Sequence, residues 1–210
     1  MGYKASIITI QNPPQPVADR IILDTLGYSS FLYAQETILE DCMYPRDKSI
    51  SIGNFNNCLM ICDDFQLTSI LENHTSLQSL CDYEKSLASL FGSSEILSIA
   101  CHSGVSYHMY TLVSNGKRIR FKAVSSDDPL VEYGERLKEE EHVYALSKTI
   151  KGKRLFRSRY SDDKKYKMTE DQIMEDFTFG VAARHLGVKI STIQDKELMS
   201  NVPFRKYLRR

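Results

Sequence analysis

Apolar and polar positions along the chain predict its elements before any chemistry is considered. Residues 4–10 (KASIITI) are apolar and largely β-branched, which predicts a strand buried on both faces. The stiff polar run at 11–16 (QNPPQP) ends it. Val17, Ile21, Ile22 and Leu26 then fall at helical spacing, closed by Gly27. In residues 29–43, Ser30 can cap a short helix through Phe31, Ala34 and Ile38, which Pro45 stops. Residues 48–52 alternate, 53–57 (GNFNN) are turn chemistry and 57–62 (NCLMIC) form an apolar strand. Asp63 or Asp64 can cap a short helix over 65–71. A second helix fits 77–91, with Leu80, Leu87 and Phe91 on its stripe and Gly92 at its end.

The strongest local signal lies in the middle. Residues 95–101 (EILSIAC) read as a strand and 105–113 alternate as a second. Asn115-Gly116 separates this from an alternating run at 117–124. Asn-Gly between alternating runs marks a hairpin, because both central turn residues must accept positive φ. Lys117 or Arg118, with Arg120, is then expected on a solvated outer edge. Asp127 and Asp128, before Pro129, suit a turn or a helix start. Thr169 with Gln172 forms a capping box at the head of a helix over 169–186. Acidic residues near its start, Arg184 and His185 near its end, and Gly187 beyond complete that reading. A last short helix is expected at 195–199, followed by a basic tail, FRKYLRR.

These elements predict an α+β fold: a mostly antiparallel mixed sheet with helices packed on it. The hairpins at 48–62 and 95–124 build the sheet, and the strand at 4–10 sits centrally. One domain over residues 1–210 is expected, with 148–168 as its basic, mobile segment.

The 210 residues, 42% of them apolar, suffice for such a core. No apolar run approaches the roughly 20 residues of a membrane span. The opening MGYKASIITI lacks the basic region and long apolar core of a signal peptide, so a cytoplasmic protein is expected. Five cysteines at loose spacing make a poor disulfide framework. Cys58 and Cys62 share a face if their stretch is a strand. With no second ligand pair they read as core cysteines, and neither a metal nor a cofactor is expected.

Balanced totals of 27 basic and 27 acidic residues hide a split. Residues 1–147 carry 11 basic and 19 acidic side chains, and residues 148–210 carry 16 and 8. The densest basic stretch, 151–167, interleaves Phe156, Tyr160 and Tyr166 among its cations. Lys151, Lys153, Arg154, Arg157 and Arg159 are its candidate ligand- or nucleic-acid-binding residues, because such binders pair backbone-tracking cations with stacking rings. Without a nucleic-acid-binding motif, the favoured reading is a solvated connector complementing the acidic front half.

Cys101-His102-Ser103-Gly104 is the most enzyme-like run. A Cys or Ser nucleophile needs a base within reach, and neighbours on a strand point to opposite faces. His108, on the adjacent strand, could approach Cys101, His102 or Ser103. Catalysis here predicts that His102 and His108 converge in a cleft with a carboxylate such as Glu135. The bland alternative is a strand end held by structural hydrogen bonds. Asp63-Asp64 and Asp127-Asp128 read as helix caps, and Glu139-Glu140-Glu141 as a solvated face. Phosphate-loop, dinucleotide, HExxH and GxSxG motifs are absent from the sequence.

Residues 96–140 resemble a bacterial family defined as a domain of unknown function. The matching residues are His102-Ser103 at a strand end, Gly116 and Arg120 of a G-x-x-x-R hairpin, and Gly134-Glu135, Leu137 and Glu140. The opening Met-Gly-x-Lys strand, the strand–turn–strand at 50–62 and the helix at 170–187 also fit. Residues 63–92 and 148–168 match nothing in it. The resemblance implies one bacterial mixed α/β domain and no activity.

Three functions remain open. A non-enzymatic binding or accessory domain ranks first. A hydrolase or transferase using His102 with Ser103 or Cys101 is second. A nucleic-acid-associated protein using 148–167 is third and disfavoured. A homodimer or a protein partner is compatible with the exposed hairpin edge; a membrane is not expected.

Overall fold

A computed structural model describes residues 3–71, 76–157, 166–190 and 195–210. Its elements are β1 (Lys4–Gln11), α1 (Asp19–Thr25), β2 (Phe31–Thr37), α2 (Leu39–Cys42), β3 (Ile50–Phe55) and β4 (Cys58–Asp63). Then come α3 (Asp82–Phe91), β5 (Ile96–His102), β6 (Tyr107–Ser114), β7 (Lys117–Val124), β8 (Val131–Tyr133) and α4 (Lys138–Tyr144). The chain ends with β9 (Ser147–Ile150), β10 (Lys153–Phe156), α5 (Met174–Leu186), α6 (Lys196–Ser200) and β11 (Phe204–Arg209).

Nine strands form one sheet in the order β2-β11-β3-β4-β1-β5-β6-β7-β8, while β9 and β10 pair separately. Every ladder of the large sheet is antiparallel. The fold is therefore α+β, as the pattern predicts. β1 is central, and residues 5–10 are all buried because each face of the sheet carries helices. Ala5 and Ile7 join a core with residues of α2, α4, α5 and α6. Ile8 and Ile10 join a second core with α1 and α3 on the opposite face. Burying each of Phe177, Phe179 and Leu186 of α5 contributes about 1.5–3 kcal/mol. Among the described residues no helix is long and apolar enough to cross a membrane.

Local chemistry holds where it is most specific. Asn115 and Gly116 take φ of 50° and 69°, as their turn requires. Gly187 closes α5 at φ 73°, but its expected start at 169 fails: Gln172 accepts the Thr169 N–H at 3.0 Å ahead of a 3-10 turn at Asp171–Ile173, and α5 itself begins at Met174 with no side-chain cap.

Four expectations fail for tertiary reasons. The helix expected from Phe31 is strand β2, because it pairs with β11 far along the chain. The basic tail is β11 itself, inserted between β2 and β3; Asp19 pairs with Arg205, and Asp47 with Lys206 at 2.6 Å. Asp127 and Asp128 precede β8 and cap no helix. Arg118 and Arg120 are buried, as is Glu140, so the expected solvated edge and the centre of the expected acidic face are instead internal ion pairs, while Glu141 is exposed as expected.

Candidate functional site

Strand register decides what the predicted catalytic residues can do. Cys101 lies opposite His108, and His102 lies opposite Tyr107. Directly opposed residues share a face, so His102 and His108 point to opposite sides of the sheet. The convergence required for catalysis does not occur. Glu135 is exposed and lines a separate hollow with Lys117 and Arg136.

Cys101 and His108 share the face that carries α5, and both are buried. Burial, with the charge of Glu175 nearby, pushes the Cys101 thiol up to about 12. Burial also pulls His108 down to about 4, against the opposing pull of Asp171. Its Nδ1 is buried and has no hydrogen-bond partner among the described residues. A nucleophile needs the thiolate, and this pair is held as neutral thiol and neutral imidazole.

Ser103 opens the short turn after β5. Its hydroxyl donates to Glu175 Oε1 on α5 and accepts the Tyr3 N–H at 3.0 Å. These bonds tie the first strand, the turn and α5 together, with no imidazole in the set. His102 is half-buried on the other face, and its Nδ1 is also buried without a partner among the described residues. A Cβ on Gly104 would stand 3.3 Å from the His102 ring, so glycine lets the turn fold closely over it.

His102 sits at one end of a groove that the sequence pattern did not single out. α3 packs on β5 and β6, and among the described residues a hollow remains beside it over β6, β7 and β8, with buried Met109 and Phe121 at its floor and Tyr107, Ala123 and Val131 more open. Two hollows of about 460 and 370 Å³ share Tyr107, Ser125 and Asp128 and form a continuous groove. Met109, Phe121 and Ala123 contribute to its apolar lining, with Leu77 and Val131 at the first hollow and Phe65 and Val105 at the second. Ser125 Oγ accepts the Asp127 and Asp128 N–H groups at 3.2 and 2.9 Å and donates to the Asp128 carboxylate at 3.0 Å. That turn holds two exposed carboxylates at the rim. Among the described residues, neither hollow has a lysine or arginine in its lining. The groove can therefore take an apolar body and attract a cation.

The cations of β7 serve another purpose. Val113 opposes Arg118 while Leu112 opposes Arg120, so Ile119 is the extra residue of a β-bulge. The bulge sends Arg118 to Glu84 of α3 on one face, and Arg120 and Lys122 to the other. Arg120 binds Glu140 through two bonds of 2.9 and 2.7 Å, and donates to the Gly134 carbonyl at 2.9 Å. Glu140 also accepts the Leu137 N–H at 2.7 Å. A Cβ on Gly134 would stand 2.0 Å from the Ile119 carbonyl oxygen, so only glycine fits there. Arg120, Gly134, Leu137 and Glu140, four of the residues that carry the resemblance, thus form one structural clamp.

The basic segment splits in a similar way. Lys151, Lys153 and Arg154 are exposed on the β9–β10 hairpin. Arg157 is half-buried over Tyr166, at 4.7 Å, with Lys148 at 5.1 Å from the same ring. Phe156 is fully buried. The segment's described aromatic rings are covered by cations or by core; Arg159 and Tyr160 lie outside the described residues.

One constellation escaped the sequence reading altogether. Thr9 Oγ lies 2.8 Å from His185 Nδ1, and His185 Nε2 lies 3.5 Å from Glu95. A hydroxyl, an imidazole and a carboxylate in line resemble a nucleophile relay. Thr9 is 1% exposed and His185 3%, so this line is sealed and fastens α5 to the sheet. No local signal joins residues so distant in sequence.

Comparison with protein-family models, with curated proteins and with solved structures finds no match to this chain.

Proposed function

We propose that this chain is a non-enzymatic binding domain and that its ligand occupies the groove between Leu77 and Phe65. The observation that carries this reading is a pair of adjoining, largely apolar hollows on the α3 face, floored by Met109 and Phe121 and edged by Asp127 and Asp128. Apolar contact supplies affinity there, and the two carboxylates select charge. The ligand class is a molecule or side chain with an apolar body and a positive charge. The inert state of Cys101 and the separation of His102 from His108 and Ser103 favour binding over catalysis. Five free, buried cysteines suit a reducing compartment, which supports a cytoplasmic place for it. The resemblance of residues 96–140 adds a bacterial origin.

Phenethylamine and 3-phenylpropionate test the reading as a matched pair, since they share an aromatic body and differ in charge. Titration followed by protein NMR is expected to show the amine binding more tightly than the acid. Asp127→Asn with Asp128→Asn should abolish that preference and leave the fold unchanged, because both side chains are exposed. Equal binding of the two probes, or binding of neither, would overturn the proposal.

A further inference from the structure

The two edges of the large sheet differ. β8 closes one edge with only three residues before Gly134 turns the chain away. β2 closes the other with seven, paired on one side by β11. Leu32 to Glu36 are exposed in succession, so neither helical layer covers them. Leu32 is 39% and Tyr33 58% exposed. Natural edge strands are blunted by lysine, proline, short length or a covering element, because an open row of N–H and C=O groups recruits another strand. β2 (FLYAQET) has no lysine or proline. Its ladder slips at Ala34, but residues on both sides of that bulge remain exposed.

We propose that β2 is a dimerisation edge, at which a second copy of this chain adds its own β2 antiparallel. The sheets would then run continuously through a two-fold axis. Charge complementarity argues for this occupant. Glu36 is the strand's single charged side chain, near one end; at the other end Phe31 lies beside Arg209, with Arg210 following. Antiparallel pairing brings each Glu36 end toward the Arg209 end of the other copy, two strand spacings or about 10 Å away, within reach of long side chains. A parallel arrangement would set Glu36 beside Glu36. The apolar Leu32 and Tyr33 lose water in the same step. This inference stands independently of the groove.

Native mass spectrometry and light scattering of the full chain, across a hundredfold range of concentration, provide the test. A species of twice 24.1 kDa should grow with concentration. Hydrogen exchange of the Phe31–Thr37 amides should slow in parallel. Leu32→Lys with Tyr33→Lys should weaken the dimer by at least about tenfold, since edge charges oppose strand pairing. A monomer at every concentration refutes the proposal. So does a dimer whose β2 amides exchange unchanged, or a β2 edge occupied by a different polypeptide. Should the double variant fail to fold, the exchange measurement on the unaltered chain still decides.

Discussion

His108 should make the protein acid-sensitive, and replacing it should remove much of that sensitivity. The imidazole is 3% exposed and held down to about 4, against about 6.5 in an unfolded chain. A depressed histidine leaves the unfolded state holding more protons, so stability is full above the unfolded value and falls as pH drops toward the folded one. At about pH 4.5 the two values imply a loss of about 2.5 kcal/mol relative to neutral pH. His185 is also lowered by burial and adds in the same direction. His108→Leu removes the titration together with a buried Nδ1 that lacks a partner among the described residues. Urea unfolding followed by circular dichroism, for both proteins at neutral and acid pH, isolates the effect. The variant should match the wild type within about 1 kcal/mol at neutral pH, where a volume-conserving change is tolerated. It should be more stable by about 2–3 kcal/mol near pH 4.5. Parallel pH profiles would show that His108 takes up its proton in the folded state, and the reasoning would fail.

Other expectations follow from the buried groups. Glu140→Gln removes the buried carboxylate partner of Arg120, leaving it only the part-exposed Glu132 at 2.6 Å, and should cost about 3 kcal/mol in urea unfolding, whereas Arg120→Met with Glu140→Leu should recover most of it. The thiols of Cys58, Cys81 and Cys101 are all pushed up to about 12 by burial, so a thiol-specific reagent should leave all three unmodified until denaturant is added. Rapid native labelling at any of the three would contradict their burial.

The legible parts of the fold were those fixed by neighbours in sequence. Asn115-Gly116 sets its own turn, and residues 4–10 announce a strand covered on both sides. β2 was misread because Phe31, Ala34 and Ile38 mimic a helical stripe, while the partner that makes them a strand is β11. β11 in turn looks like a solvated tail because its cations find Asp19 and Asp47 only in the folded chain. Arg120 and Glu140 read as surface charges because nothing local reveals their pairing or the bulge at Ile119 that turns Arg120 inward. Of the candidate site, His102 was legible as an unusual strand end. The groove beside it was not, because it exists only where α3 stops short of β7 and β8. The separation of His102 from His108 needed the β5–β6 register.

The central claim is that the groove on the α3 face of β6 and β7 receives a cationic, apolar ligand. Its most direct measurement is a methyl NMR map of the full chain titrated with phenethylamine. Saturable shifts confined to Met109, Ala123 and Val131 are expected, and they should vanish in the Asp127→Asn, Asp128→Asn variant. Shifts centred elsewhere on the protein, or none at saturating probe, would contradict the account.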